Sequence, residues 1–526
     1  MKQSSGIKVG SEFRVQSSAP VGAANGRPQP AAELLPYGGE AEDGERKAVP
    51  AELSAPAAAM EALERLRAAG FPAFLVGGCV RDSLLGRTPG DWDITTAALP
   101  EQVEAVFAGE RIIETGLKHG TVTLLLGGLP LEITTFRTET GYSDHRHPDA
   151  VAFTPSLTED LARRDFTVNA MAWTPEGEGV VDPFGGQADL EKKVIRCVGD
   201  PEQRFREDAL RILRALRFAS QLDFVIDPAT AAADYALRDS LELVSRERIA
   251  VELTKLLCGP AARRIITEYW EILAVPLPEL APMAGLDQRS KYHCFDVLEH
   301  SAAAVEAVSP EPVLRWTALL HDVGKPACFT VDEAGRGHFY GHAKFSGPMA
   351  REILTRLRFD HDTVNRVSTL VELHDYPIDP PVEMQNAGAG DGLGSESAGA
   401  ANGRPPQADA LRRAEERAIR KLIGKLGEED VFRLLALKRA DSLAHHPDCW
   451  GRVEACNRLE ALAREILAQP PCFTVKDLQI DGNDLIALGY PKGPAIGQAL
   501  NALLEAVLSG ELPNRREELL ARCKRR

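Results

Sequence analysis

The stretch FLVGGCVRDSLLGRTPGDWDITT, residues 74–96, decides how this chain is read. An apolar strand, Phe74–Val76, stops at Gly77–Gly78, and a helix-like VRDSLLG follows. Two glycines at a strand end let backbone approach a ligand closely, and the amides at a helix start attract phosphate. Arg81, one turn in, is placed to hold a phosphate oxygen. Then comes Asp91-Trp92-Asp93. On a strand, side chains alternate, so the two carboxylates share one face. Carboxylates side by side repel unless a cation or a proton lies between them. Oxygen-only ligands suit Mg²⁺, which can polarise a terminal hydroxyl and stabilise a leaving pyrophosphate. A later strand, Leu131–Arg137, adds Glu132 as a third carboxylate.

Outward from this stretch, helices alternate with short β-rich runs between residues 58 and 175: FPAFLVGG, WDITTA, GTVTLLLGG, LEITTFRT and VAFTP. Such a pattern predicts a mixed α/β sheet domain. From about residue 185 onward apolar residues recur at three- and four-residue steps, as in ALRILRALRFA, RIAVELTKLL and VLRWTALLHDV, and predict helices almost throughout. Residues 1–55 are rich in Gly, Ala, Pro, Ser and Glu and read as a disordered leader. A tract of the same character, 386–407, shares the string AANGRP with residues 23–28 and reads as a surface loop interrupting a folded domain.

At 526 residues the chain exceeds one core and predicts three or four domains. No stretch approaches the roughly 20 apolar residues of a membrane span, and the N-terminus lacks the apolar core of a secretory signal. Nine scattered cysteines without a CxxC pair fit reduced thiols in a cytoplasmic protein. The net charge of −16 runs against the basic excess usual for nucleic-acid binders, but a local patch suffices, and Lys and Arg do cluster at 204–217 and in the closing RREELLARCKRR.

Three further constellations carry chemistry. ARRDFTVNAMA, 162–172, sets Arg163 and Arg164 beside Asp165 and Asn169. In RFREDALRILRALRFA, 204–219, Asp208, Arg211, Arg214 and Arg217 recur every three residues, a slowly winding stripe on one helix. Asp208 and Arg211 are neighbours on it. They form either a routine ion pair or an acceptor and a donor fork able to read the Watson–Crick edge of C or A. The rear half holds His300, His321-Asp322, His342, His374 and Asp441. Imidazole nitrogen and carboxylate oxygen together suit a metal that activates water against a phosphoester. His293, nearby, reads as structural.

The motif GGCVRDSLLG…DWD resembles the signature of the class II tRNA nucleotidyltransferases and their bacterial poly(A) polymerase relatives, in the polymerase-beta-type superfamily. The order H…HD…H…H…D resembles the HD phosphohydrolases. Together the likenesses cover about residues 58–520. They imply an α+β fold: a nucleotidyltransferase head with a mixed five-stranded sheet (56–182), a helical neck (183–275), a helical HD-type body (276–468) and a helical tail (469–526). The family resemblance implies catalysis by Asp91, Asp93 and Glu132, with Mg²⁺ on Asp91 and Asp93. It implies nucleotide binding by Gly77, Gly78, Arg81 and Arg164. Asp208 and Arg211, in the EDxxR motif, become a protein template for CTP and ATP, and Arg214 and Arg217 hold triphosphate or fix that pair. The partners implied are CTP, ATP and the acceptor stem and T arm of tRNA, with neither DNA nor membrane. Residues 182–200 match a flexible interdomain element, 245–257 a neck motif, and GYPKGPAIG with the tail helices a tRNA-contacting element. The HD likeness implies His300, His321, Asp322, His342, His374 and Asp441 as ligands of Mg²⁺ or a transition metal such as Mn²⁺, Ni²⁺ or Fe²⁺, and a phosphodiesterase or phosphatase activity. Rival readings are an A-adding or CC-adding enzyme, a poly(A) polymerase, and an HD phosphohydrolase with an RNA-binding head. The oligomeric state stays open.

Overall fold

The computed structural model describes residues 53–116, 119–142, 150–175, 179–290, 292–376, 406–468, 472–508 and 510–524. The expected leader, as far as residue 52, and the expected insert, as far as residue 405, lie outside the described residues. Both expected boundaries shift. Leu53, placed in the leader, is 8% exposed and belongs to the main hydrophobic core, because it is the one large apolar side chain just before the first helix, Ala57–Ala68. At the far side of the insert, residues 406 and 407 already belong to the helix Pro406–Leu426. Proline at a first helical position has its φ preset and loses no hydrogen bond there.

Among the described residues the head is built on nine short strands: β1 Ala73–Val76, β2 Asp93–Thr96, β3 Arg111–Gly116, β4 Thr121–Leu126, β5 Leu129–Thr135, β6 Arg137–Thr140, β7 Ala150–Phe153, β8 Ala172–Trp173 and β9 Val180–Val181. Seven make one sheet in the order β3-β4-β5-β2-β1-β8-β9. Only β2 and β5 run parallel; the other neighbours are antiparallel. The expected five-stranded sheet is present as β3 to β1, and β8 and β9 widen it to seven. Each of those two pairs through two residues only, too short for a periodic pattern to reveal. The run LEITTFR does not form one strand. It leaves the sheet after Thr135, and Arg137 opens β6, which pairs with β7 in a separate ribbon.

Alternation explains which face holds the core. Along β4 the even residues Val122, Leu124 and Leu126 are buried, and along β5 so are Leu131, Ile133 and Thr135. Leu63 and Leu66 of the first helix join the same cluster. That cluster continues without a break through Leu213 and Leu216, Leu253 and Leu256, and Trp316, as far as Ala444. Sheet, neck helices and much of the body thus share one apolar core. The tail packs around its own cluster, Leu485, Leu503 and Leu519 among others.

The segment 182–200 is closely packed against the 163–169 motif. Asp182 accepts the amides of Gly186 and Gln187 at 2.7 and 2.8 Å, starting the helix Gly186–Lys192. Thr167 Oγ1 donates to Asp189 Oδ2 at 2.7 Å. A Cβ at residue 186 would lie 2.3 Å from the Thr167 carbonyl oxygen, so only glycine permits this approach.

Candidate functional site

The sheet brings the three head carboxylates together by register. Asp93 opens β2 and pairs with Glu132 on the parallel neighbour β5. Asp91 lies two residues before Asp93 but precedes the strand rather than standing on it. The alternation still holds through this extended lead-in: Trp92 is 6% exposed and packs into the core, while Asp91 and Glu132 are exposed and Asp93 is half-buried. Burial, with Asp91 and then Glu132 adding like charge, pushes the Asp93 carboxyl up to about 6, against the opposing pull of Arg164. Those causes place all three carboxylates and Arg164 in one electrostatic neighbourhood. Gly77, at φ +80°, passes directly beneath it: a Cβ there would stand 3.2 Å from Arg164 Nη1 and 4.0 Å from Asp93 Oδ2. A Cβ at Gly78 would stand 4.0 Å from Asp91 Oδ1.

Arg81 is fixed from both sides. It forks onto Asp82 at 2.8 and 2.9 Å and donates to Asn169 Oδ1 at 2.6 Å. Asn169 in turn donates to Asp165 at 3.2 Å, so the first motif is tied to the second.

Arg164 links the carboxylates to a cavity of about 250 Å³ lined by Arg163, Arg164, Asp165, Asp208, Arg211, Arg214 and Arg248. Three larger clefts are found among the described residues, near Tyr142, in the tail and between Arg412 and Arg458, but they lack this density of cations, which phosphate binding requires. Within the cavity wall Arg214 Nε donates to Asp165 Oδ2 at 2.8 Å. Burial would raise Asp165, but Arg214 and Asn169 hold it below the usual carboxylate range. Arg164 Nε is buried without a hydrogen-bond partner, a directed donor that the fold leaves unsatisfied.

The expected Asp208–Arg217 stripe is not one helix. A first helix, Pro201–Glu207, ends at Asp208, whose backbone is extended, and a second, Leu210–Leu222, begins two residues later. Asp208 causes the break: its Oδ1 accepts the Leu210 amide at 3.1 Å, a local bond that competes with helix continuation. Nor do Asp208 and Arg211 pair with each other. Arg211 bonds Glu207 at 2.6 Å and the Arg163 carbonyl at 3.1 Å. Asp208 takes a fork from Arg248, at 2.7 and 3.3 Å. Arg248 lies in the run SRERIAVELTKLL, and no local feature of that run singles it out. Arg217 turns away from the cavity. It is buried, pairs with Glu252 and lies 3.6 Å over the Phe218 ring.

In the helical body the six expected ligands converge, with a seventh, His445. Among the described residues three groups of ligand atoms gather within 4.8 Å: His300–His321–Asp322, His300–Asp441–His445 and Asp322–His342–His374. The signal for His445 was its place four residues after Asp441. His300 Nε2 stands 2.9 Å from Asp441 Oδ1 and 3.3 Å from His321 Nε2, and His342 Nε2 stands 2.9 Å from His374 Nε2. Five rings point Nδ1 at a backbone carbonyl: His445 at Asp441 (2.6 Å) and, among the six expected ligands, His300 at Ala444 (3.3 Å), His321 at Ala318 (2.8 Å), His342 at Phe339 (3.0 Å) and His374 at Val371 (2.6 Å). That leaves Nε2 of His300, His321, His342 and His374 facing the cluster, the second-sphere arrangement of metal-binding histidines. Burial pushes His374 down to about 3, while His321, against its burial, is pushed up to about 10 by Asp322 and Asp441. Lys325 Nζ lies 2.7 Å from Asp322 Oδ2, yet that oxygen makes no well-directed hydrogen bond.

The chain matches four family models: the poly A polymerase head domain over 73–196, the probable RNA and SrmB-binding site of polymerase A over 223–283, the HD domain over 291–445, and tRNA nucleotidyltransferase domain 2 (putative) over 449–523. It is 33% identical over 458 residues to the CCA-adding enzyme of Limosilactobacillus fermentum, covering 87% of this chain and 94% of that one. The CCA-adding enzyme of Lactobacillus delbrueckii subsp. bulgaricus is 50% identical over 228 residues, a match spanning 43% of this chain and about half (56%) of that relative's length. Among solved structures, the Bacillus stearothermophilus CCA-adding enzyme in complex with CTP superposes with a TM-score of 0.61 at 30% identity, covering 89% of this chain and 96% of that one. No helix of the described residues is long and apolar enough to cross a membrane.

Proposed function

We propose that this chain, which belongs to the family of CCA-adding enzymes, completes the 3′-terminal CCA of tRNA from CTP and ATP, with Asp91, Asp93 and Glu132 as its catalytic carboxylates. The observation that carries the assignment of the site is Arg164, which bears on Asp93 and also lines the cationic cavity. One side chain thus spans the two halves of a nucleotidyl transfer, the reacting phosphate and the base.

The donor set fits Mg²⁺: Asp93 is raised by burial and then by the like charge of Asp91 and Glu132, and a divalent cation offsets both. Bound there, it would lower the pKa of the tRNA 3′-hydroxyl and stabilise the triphosphate charge. Arg164 turns its unsatisfied Nε to a triphosphate oxygen. Gly77 and Gly78 let the phosphates approach the backbone, and Arg81, held by Asp82 and Asn169, keeps that turn in place. Arg214, fixed by Asp165, adds positive charge at the wall, and Arg217 stiffens the helix behind it. Asp208 accepts the exocyclic amino group that C and A share, and Arg211 donates to the adjacent ring nitrogen. U and G carry a carbonyl where C and A carry the amino group, and are refused. The acceptor stem and T arm are bound through shape and backbone, as RNA duplexes are. The reaction belongs in the cytoplasm, beside its substrates.

The test is nucleotide omission. With tRNA lacking CCA, CTP alone adds two residues, CTP with ATP adds three, and ATP alone adds none. Failure to add C from CTP would leave an A-adding enzyme or a poly(A) polymerase, and a stop after CC a CC-adding enzyme.

A second activity rests on the body cluster. Its converging Nε2 atoms and carboxylates fit Mg²⁺ or a transition metal such as Mn²⁺, Ni²⁺ or Fe²⁺, which would activate water against a phosphoester. His321→Ala should abolish phosphodiesterase or phosphatase turnover and leave CCA synthesis intact.

A further inference from the structure

Asp208 has an acceptor inventory that can be counted. A carboxylate offers about four lone-pair positions, two on each oxygen. Oδ1 takes the Leu210 amide at 3.1 Å and Arg248 Nη1 at 3.3 Å, which fills it. Oδ2 takes Arg248 Nη2 at 2.7 Å, which leaves one position. Asp208 and Arg248 both line the cavity, and neither side chain is more than a quarter exposed. Asp208 itself sits between two helices, in extended backbone, so no helical turn fixes its direction.

We infer that Arg248 is a specificity-positioning residue: its fork clamps the Asp208 carboxylate so that a single lone pair of Oδ2 is offered to the incoming base. A guanidinium–carboxylate fork fixes the carboxylate plane as well as its charge, which a lysine ammonium cannot do. One fixed acceptor suits one donor at one place, the amino group of C or A. Without the fork only the Leu210 amide still holds Oδ1, so the carboxylate swings about that bond and Oδ2 gains a second free lone pair. It can then accept the ring N–H of U or G, and discrimination falls. Arg248 touches no reacting atom in this arrangement and acts only through Asp208. The inference rests on the reading that Asp208 reads the base.

The experiment compares kcat/KM for CTP and for UTP on tRNA lacking CCA, using Arg248→Ala, Arg248→Lys and Asp208→Ala, each with its melting temperature. Arg248→Ala should lower the CTP:UTP ratio about tenfold, mainly through a gain in UTP use, and Arg248→Lys should lower it less. A merely structural role would reduce both nucleotides together. An unchanged ratio in Arg248→Ala, with Asp208→Ala lowering it, overturns the inference and leaves the base-reading role standing. An unchanged ratio in Asp208→Ala overturns both. If Arg248→Ala does not fold, Arg248→Lys decides alone, and an unchanged ratio there overturns the clamp.

Discussion

The head gathers its acidic groups on a sheet, and the body gathers its histidines near helix ends. The difference shows in how firmly each set is held. In the head, register alone sets Asp93 against Glu132, and the carboxylates face outward, with Asp91 and Glu132 exposed. They do not form a group within 4.8 Å, as the body ligands do. In the body, His321 and His374 cap helices, His342 starts one, and each ring is locked by a carbonyl three residues back. A loosely drawn, oxygen-only set suits a metal that arrives with its nucleotide and leaves with pyrophosphate. A buried nitrogen-rich set suits one that stays.

The largest effect separating the two regions is on synthesis. Asp93→Asn should lower kcat/KM for CTP by about a thousandfold, as loss of a metal-holding carboxylate at a charged transition state implies. The next should appear in metal content. Protein purified without added metal should retain a transition metal through dialysis, and His321→Ala should lose about nine-tenths of it or more, read by elemental analysis. Asp93→Asn should retain it.

A third effect concerns the scaffold that joins the regions. Arg217 and Glu252 pair in the core, the side chain of each less than a tenth exposed. Glu252→Ala leaves a buried charge alone and should cost about 3–5 kcal/mol in chemical denaturation. Because one core runs from the sheet into the body, both activities should melt together in that variant.

The smallest effect is a pH dependence. Asp93 is raised from its ordinary 3.8 to about 6, so between roughly 4 and 6 the folded protein holds a proton that the unfolded chain has released. Without Mg²⁺, stability should therefore rise as pH falls through 6. Mg²⁺ competes with that same proton, so its stabilising effect should fade over the same interval. Asp93→Asn should remove both trends, as thermal melts with and without Mg²⁺ would show.

Much of this was legible from residue types and spacing. The glycine turn, the DxD pair and the HD ligands are each visible locally, and the structure sets Asp93 beside Glu132 and brings the HD ligands into one cluster. Besides the two-residue strands β8 and β9, three things were hidden for physical reasons. Strand β3, RIIETG, is an edge strand with an irregular register near Gly116, so its apolar alternation is blurred. The three-residue spacing of Asp208, Arg211, Arg214 and Arg217 mimics a helical stripe, but Asp208 breaks the helix through its own side chain. Arg248 lies 40 residues from Asp208, and only the packing of neck helices brings them into contact.

The measurement that bears most directly on the whole account assays both activities on three preparations: wild type, the double variant Asp91→Asn/Asp93→Asn, and His321→Ala. The account predicts that the double variant adds neither C nor A yet keeps its body metal and any phosphoester hydrolysis, while His321→Ala does the reverse. Continued growth of the tRNA 3′ end in the double variant would contradict it.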